Sequence, residues 1–274
     1  MNNLISILIP TYNQTDTFEK IVTLYSNNAK VKIIVSDDSD DLKIKEKIKA
    51  ICREKNLSYF KGPQTSAINN WNFLLSLVET PFFVLNHHDD YPNNLYFLDY
   101  LENIDPDKTG LVLLPCTSYI CNKPHVRVSS RHQKIHIALF RYFPNPMFNI
   151  FLAPTASVII SNKLKENNFD NDLKWYVDCE WYLKLLFATR SQKLDILFFK
   201  NSRIISNQTK ESITNKIKNK LLEIKKYEIC KLKRKNLIPN QFISLIQKVF
   251  SLFLIFDSKI IRLTNSFNFY SDKK

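Results

Sequence analysis

The stretch PFFVLNHHDDYP, residues 81 to 92, runs from apolar residues straight into two adjacent histidines and two adjacent aspartates. Imidazole and carboxylate side by side can hold a divalent cation, accept a proton or orient a phosphate. Two further polar clusters follow apolar runs in the same way: PTYN, residues 10–13, after Leu4–Ile9, and VSDDSDD, residues 35–41, at the end of the run that begins at Val31. Carboxylates brought together repel one another unless positive charge sits among them. A divalent cation with a diphosphate answers that repulsion, because carboxylate oxygens suit Mg²⁺ or Mn²⁺ and phosphate oxygens complete the shell. The bland alternative is that DDSDD forms turns and a helix cap and that the histidine pair is merely solvated.

What decides between these readings is whether one fold element positions all three clusters. Between Leu4–Ile9 and Val31–Val35, the segment QTDTFEKIVTLYSNNAK has helical spacing at Phe18, Ile21, Val22 and Tyr25, which makes a βαβ unit. DLKIKEKIKAICREKN carries Leu42, Ile44, Ile48 and Ile51 into the run LSYF. SAINNWNFLLSLVE, with Ile68, Trp71, Phe73, Leu75 and Val78, leads into Phe82–Leu85, and GLVLLPC, TASVIIS and KLDILFF are further strand candidates. The expected fold class is therefore α/β, with a mainly parallel sheet covered by helices on both faces. Such sheets bind ligands at the carboxyl ends of their strands, where all three clusters fall.

Composition excludes several alternatives. The chain has 274 residues, 45% of them hydrophobic, and a net charge of +13. Its two glycines, Gly62 and Gly110, rule out both the glycine-rich turn of a dinucleotide fold and a P-loop after the first strand, where PTYNQT stands. Five scattered cysteines without a CxxC pair indicate neither a disulfide framework nor a zinc knuckle, and Cys116 and Cys121 read as buried or idle thiols. The opening MNNLISILIPTYN reads as a core strand and not a signal peptide, and no apolar run reaches the ~20 residues a bilayer span needs, so a cytoplasmic location is expected. From residue 210 onward there are 15 Lys and Arg against 5 Asp and Glu, which concentrates +10 of the charge in the tail and places a boundary there.

The segments SILIPTYN, KIIVSDDSDD, AINNWNFLLSLVETPFFVLNHHDD and WYVDCEWYLKLL, in that order and spacing, resemble the inverting family-2 glycosyltransferases of GT-A fold over about residues 4 to 209. The resemblance implies a glycosyltransferase that moves a sugar from a nucleotide-sugar, by family habit a UDP-sugar, to a hydroxyl of a glycan or lipid-linked acceptor in polysaccharide synthesis. It implies Mn²⁺ or Mg²⁺ on Asp89, at the family's Asp-x-Asp element, where His87 replaces the usual first Asp. Donor contacts carried over are Pro10, Thr11, Tyr12, Asp37, Asn72, His88, Asp90 and Arg203. The implied catalytic base is Asp178, with Val177 in place of a common Glu. Its place at a helix start favours the ionised carboxylate. Glu180 and Trp175 are supporting candidates beside it. SRIISNQTKES resembles the family's flexible loop near the diphosphate, with Ile205 at its usual His position, so Asn207 or Gln208 joins Arg203 there, and His87 compensates.

The tail, residues 210–274, holds a lysine-rich helical stretch and then QFISLIQKVFSLFLIFDSKIIRL. Two readings stand: docking at an anionic membrane surface, or packing on the catalytic domain or a second subunit. Rival functions are nucleic-acid binding through the basic tail, which leaves the acidic strand ends unexplained, a metal-dependent phosphoester hydrolase using HHDD, and a non-catalytic relative of the transferases.

Overall fold

The computed structural model of the chain describes residues 3–120, 123–140, 152, 154–207 and 220–237. Its first part alternates strand and helix: β1 Ile5–Thr11, α1 Asp16–Ser26, β2 Val31–Asp37, α2 Leu42–Glu54, β3 Ser58–Lys61, α3 Ala67–Ser76 and β4 Phe82–Leu85. There follow β5 Asp90–Pro92, α4 Tyr96–Glu102, β6 Thr109–Leu113, β7 Cys116–Ile120, β8 Lys123–Val128 and α5 Ser130–Phe140. The remaining elements are β9 Val158–Ser161, α6 Val177–Ser191, β10 Asp195–Phe198, β11 Ile204–Asn207 and α7 Leu221–Arg234.

Seven strands form the main sheet in the order β10-β6-β9-β4-β1-β2-β3. All its neighbours pair in parallel except β9, which runs antiparallel to both β4 and β6. Strand alternation sorts the core into two layers. Ile5, Ile7, Ile9, Phe82 and Val84 pack against α1, α2 and α4 through Phe18, Ile48 and Phe97. Leu8, Phe83 and Leu85 face the other way, toward Leu74 and Leu75 of α3 and Trp181 of α6. Successive side chains of a strand point to opposite faces, so nearly unbroken apolar runs are what a sheet buried on both sides requires.

Two of the helices start on short polar side chains that cap them. Asp41 caps α2 by accepting from the Lys43 and Ile44 amides, and Ser66 caps α3 by accepting from Asn69. One expectation changes: Leu42, assigned to the buried stripe of α2, is exposed, because it opens the helix ahead of the turn where Ile48, Ile51 and Cys52 meet the sheet. GLVLLPC also divides. Pro115 has no amide to give a ladder, so β6 ends before it and β7 begins a second sheet in the order β5-β11-β7-β8.

The first tail helix, α7, packs on the body. Leu232 is fully buried in the same cluster as Trp181, and Lys231 and Lys235 pair with Asp170 at 3.1 and 2.5 Å. The second tail segment, residues 241–263, lies outside the described residues, as does Cys121; Cys116 is buried. Among the described residues no helix is long and apolar enough to cross a membrane.

Candidate active site

Strand register brings the polar clusters to one edge. Thr11 pairs with Asp37 and Leu8 with Leu85, so β1, β2 and β4 end side by side. A cleft of about 1700 Å³ opens there, lined by Pro10–Asn13, Asp38, Asp40, His87–Asp90 and Asp178 among others.

On the β1–β2 side, a polar clasp fixes the rim. Asn13, at φ 50°, turns the chain back so that its amide donates to Ser39 Oγ at 2.9 Å and its side chain to Asp40 at 2.6 Å. The Tyr12 hydroxyl donates to the same Asp40 carboxylate at 3.0 Å. These two bonds, Asn13 foremost, hold the Asp40 carboxyl below its usual range, and the bond to Asp40 raises the Tyr12 hydroxyl. Asp38 accepts from the Gln64 amide at 2.8 Å. Burial raises its carboxyl and the Asp37 charge behind it adds to that, while the Gln64 amide and Lys45 oppose.

On the β4 side, Asn86 ends the strand and ties the turn that follows, its side chain donating to the His87 and Asp90 carbonyls at 2.9 and 2.6 Å. The Asn207 amide donates to the Asp89 carbonyl at 3.0 Å, so β11 holds the turn from the second sheet. His87 meets the Trp71 ring edge-on at 4.9 Å, and Trp71 continues through Phe169 to Trp181 of α6. Burial pulls the His87 imidazole down from its usual value, against the opposing charges of Asp89 and Asp178. Both carboxylates are therefore near enough to act on the one imidazole.

Asp178 is the second residue of α6, in the first turn of a helix whose N-cap residue, Tyr176, makes no side-chain cap. The segment leading into it is held by α7. Glu228, 1% exposed, accepts from the amides of Lys174, Trp175 and Tyr176 at 2.6 to 3.2 Å.

Of the residues named from sequence, Pro10, Thr11, Tyr12, His87, His88, Asp89, Asp90, Asp178 and Asn207 share the cleft. The others sit elsewhere. Asp37 is fully buried behind the rim, accepting from the Ser39 amide and the Tyr59 hydroxyl, and the neighbouring Asp38 takes its place at the surface. Asn72 exchanges two hydrogen bonds with the Phe169 backbone. Arg203 clasps Asn93 and reaches Thr117 in the second sheet. Glu180 is buried in ion pairs with Lys184 and Lys235, and Trp175 lies under Lys225. Gln208 lies outside the described residues. Sequence reasoning missed Asp38, Asp40, Gln64 and Asn70, which line the cleft, and Glu228, which does not.

The sequence model of the family described as Glycosyl transferase family 2 matches residues 6–167, more than half of the chain. The chain belongs to glycosyl transferase family 2. No curated protein matches it by sequence. The fold is similar to that of S. aureus TarS, at TM-score 0.54 and 17% identity over 76% of this chain and 37% of that one. TarS 1–349 in complex with UDP-GlcNAc gives the same score and identity, with 60% of that chain covered. The mannosyltransferase PcManGT from Pyrobaculum calidifontis, in complex with GDP-Man and Mn²⁺, gives 0.53 at 14% identity, over 76% of this chain and 58% of that one. The chain thus spans between about a third and three fifths of the length of these structures. The mainly parallel α/β sheet expected from sequence agrees with this GT-A similarity.

For this family-2 member, the donor set in the cleft fits a hard divalent cation in one particular way. Among the described residues no three His, Cys, Asp or Glu side chains converge into a protein-only metal cage. Mg²⁺ and Mn²⁺ bound with a nucleotide need no such cage: one or two carboxylates suffice when phosphate oxygens and water fill the remaining positions. Asp89, with His87 near it, is the pair that would supply such a partial shell at the cleft wall.

Proposed function

We propose that the protein is a metal-dependent inverting glycosyltransferase that takes its sugar from a nucleotide-sugar, most simply a UDP-sugar, and gives it to a hydroxyl of a glycan or lipid-linked acceptor in polysaccharide synthesis. The observation that carries this reading is the meeting of Asp38, Asp89 and Asp178 in one cleft at the carboxyl edge of the sheet of a family-2 chain. The β1–β2 rim, with Thr11, Tyr12 and Asp38, receives the nucleoside. Asp89, supported by Asp90 and His87, would hold Mn²⁺ or Mg²⁺, and His88 would contact the donor. That ion, when bound, offsets the charge of the departing diphosphate.

Asp178 accepts the proton of the acceptor hydroxyl as its oxygen bonds to the anomeric carbon from the face opposite the nucleotide. The bond from that carbon to the diphosphate breaks, the electron pair leaves with the nucleoside diphosphate, and the configuration inverts. The first turn of α6 favours the ionised carboxylate that this role requires.

Residues 1–209 carry the transferase and 210–274 form a basic extension whose +10 charge attracts anionic lipid, so the enzyme works peripherally at the cytoplasmic face of a membrane. A thermal-shift panel of UDP-, dTDP- and GDP-sugars with and without Mn²⁺ tests the reading. Ligand at 100 times its dissociation constant stabilises the fold by about 2.7 kcal/mol, so one nucleotide class should raise Tm only when Mn²⁺ is present. A panel in which no nucleotide-sugar moves Tm sinks the assignment.

A further inference from the structure

We infer that Glu228 of α7 is a positioning residue for Asp178, so that the tail helix sets the geometry of the proposed catalytic base; the inference rests on the reading of Asp178 given above. The chain enters α6 through residues 174–176, and Tyr176, the residue before the helix, makes no side-chain cap. The carboxylate of Glu228 takes three successive amides just ahead of α6. Oε1 accepts from Lys174 at 2.6 Å and Trp175 at 3.2 Å, and Oε2 from Trp175 at 3.1 Å and Tyr176 at 2.8 Å. Converging amides of this kind form an anion nest, here filled by a side chain more than fifty residues away in sequence.

Three lysines of α7 and its C-terminal cap hold the same segment and the first turn of α6. Lys225 lies over the Trp175 ring at 4.7 Å. Lys231 binds Asp172 at 2.7 Å, and Lys235 bridges Asp170 and Glu180, the latter at 3.1 Å. The nest lies one residue before α6 begins and two before Asp178. A shift of this start therefore displaces the Asp178 carboxylate directly, while the hydrogen bonds of Glu228 go to residues 174–176 and not to β1, β2 or β4, which form the nucleotide side of the cleft.

The test compares wild type, Glu228→Gln, Glu228→Asp and a remote core control, Ile48→Val. Three quantities are read: hydrogen exchange at the amides of residues 174–176, UDP affinity in Mn²⁺, and kcat for nucleoside diphosphate release from UDP-glucose, UDP-galactose, UDP-GlcNAc or GDP-mannose. Glu228→Gln keeps the size but turns amide protons toward the nest, and Glu228→Asp keeps the charge on a stem one methylene shorter. Displacing a catalytic group by about 1 Å costs roughly 100-fold, so kcat should fall about 10- to 100-fold in Glu228→Gln and less in Glu228→Asp. UDP affinity should stay within about 3-fold, a difference of less than 1 kcal/mol. Exchange at residues 174–176 should rise, and Ile48→Val should leave both kcat and that exchange unchanged.

The inference is overturned if the amides keep their protection, if they lose it while kcat holds, or if UDP affinity falls in step with kcat. A Glu228→Gln protein that does not fold hands the decision to Glu228→Asp, whose wild-type kcat would overturn the inference equally. A wild-type protein that binds no UDP and releases no nucleotide from any of the four donors overturns the functional reading and this inference with it. The earlier outcomes leave the functional reading standing.

Discussion

Gly62→Ala should weaken nucleotide binding through a contact that the mutated residue itself does not make. A methyl group placed on Gly62 would stand 2.2 Å from Asp38 Oδ1 and 3.0 Å from both Asp38 Cγ and Ser36 Oγ. Ordinary contact distances exceed 3 Å, so the carboxylate must retreat by about 1 Å. The Gly62 strand cannot yield instead without cost, because its amide donates to the Asp37 carbonyl at 3.0 Å and the preceding Lys61 pairs with Asp37 on β2. A retreat of that size stretches the 2.8 Å bond from the Gln64 amide past hydrogen-bonding range, and a bond to a charged group is worth about 1.5–3 kcal/mol. If Asp38 receives the nucleoside, losing its set position should raise the UDP dissociation constant about 10-fold or more, each factor of ten corresponding to about 1.4 kcal/mol. Gly110→Ala is the matched control. Its methyl would stand 2.7 Å from Thr189 Cγ2 on α6, remote from the nucleotide rim, so it should lower stability and leave UDP affinity alone. Calorimetric titration of UDP with Mn²⁺, alongside urea denaturation, separates the two. Wild-type affinity in Gly62→Ala, or an equal loss in both variants, would refute the reasoning.

Asp89→Asn should remove most of the Mn²⁺-dependent part of UDP binding while leaving the metal-free part, as read by titration with and without the ion. Asp178→Asn should abolish transfer and leave UDP affinity within about 3-fold, since the residue acts on the acceptor; a folded variant that loses both argues against its role. Burial works to raise the Asp170 carboxyl, but the Lys235 contact, the Asp172 amide and Lys231 together hold it at about 2. A depressed carboxylate stabilises the fold above its unfolded value near 4, and that contribution, about 1–2 kcal/mol after allowance for solvent around the lysines, should disappear as pH falls from about 4 to 2. Urea midpoints across that range should fall less steeply in Asp170→Asn than in wild type. The full chain should float with anionic vesicles better than a chain ending after Leu237, and equal recovery removes the membrane contact.

The layered fold was legible because burial on both faces writes itself into the chain as strand-length apolar runs. Ile5–Ile9, Ile33–Val35 and Phe82–Leu85 could not sit at a surface, and the helices between them show their buried stripes at Phe18, Ile21, Val22 and Tyr25. The second sheet was less legible. β5 has three residues, β7 follows β6 after a single break at Pro115, and the pairing of β11 with β5 and β7 joins segments far apart in sequence. Strands so short carry no periodicity of their own. They are set by partners that a linear pattern does not reveal.

Within the site, the division is finer still. In DDSDD one run performs two jobs: Asp37 and Asp41 serve as turn former and helix cap, while Asp38 and Asp40 face the cleft. Composition therefore supports the bland reading and the functional one together, and only the point at which β2 ends decides which carboxylate is buried and which faces the cleft. Asp37 is the last, fully buried residue of β2, and Asp38 is the first residue beyond it. Glu228 lies beyond even that logic. In KKYEICKLKR it reads as an acid among lysines on a solvated helix, yet it is nearly fully buried, and its partners are main-chain amides that have no signature in sequence. A missing cap at the start of α6 was the one trace of it, since Tyr176 stands where Ser, Thr, Asp or Asn would serve. That trace is weak, because α1, α4 and α7 also begin without a side-chain cap; only the folded chain shows that the three amides leading into α6 are taken by a carboxylate of the tail.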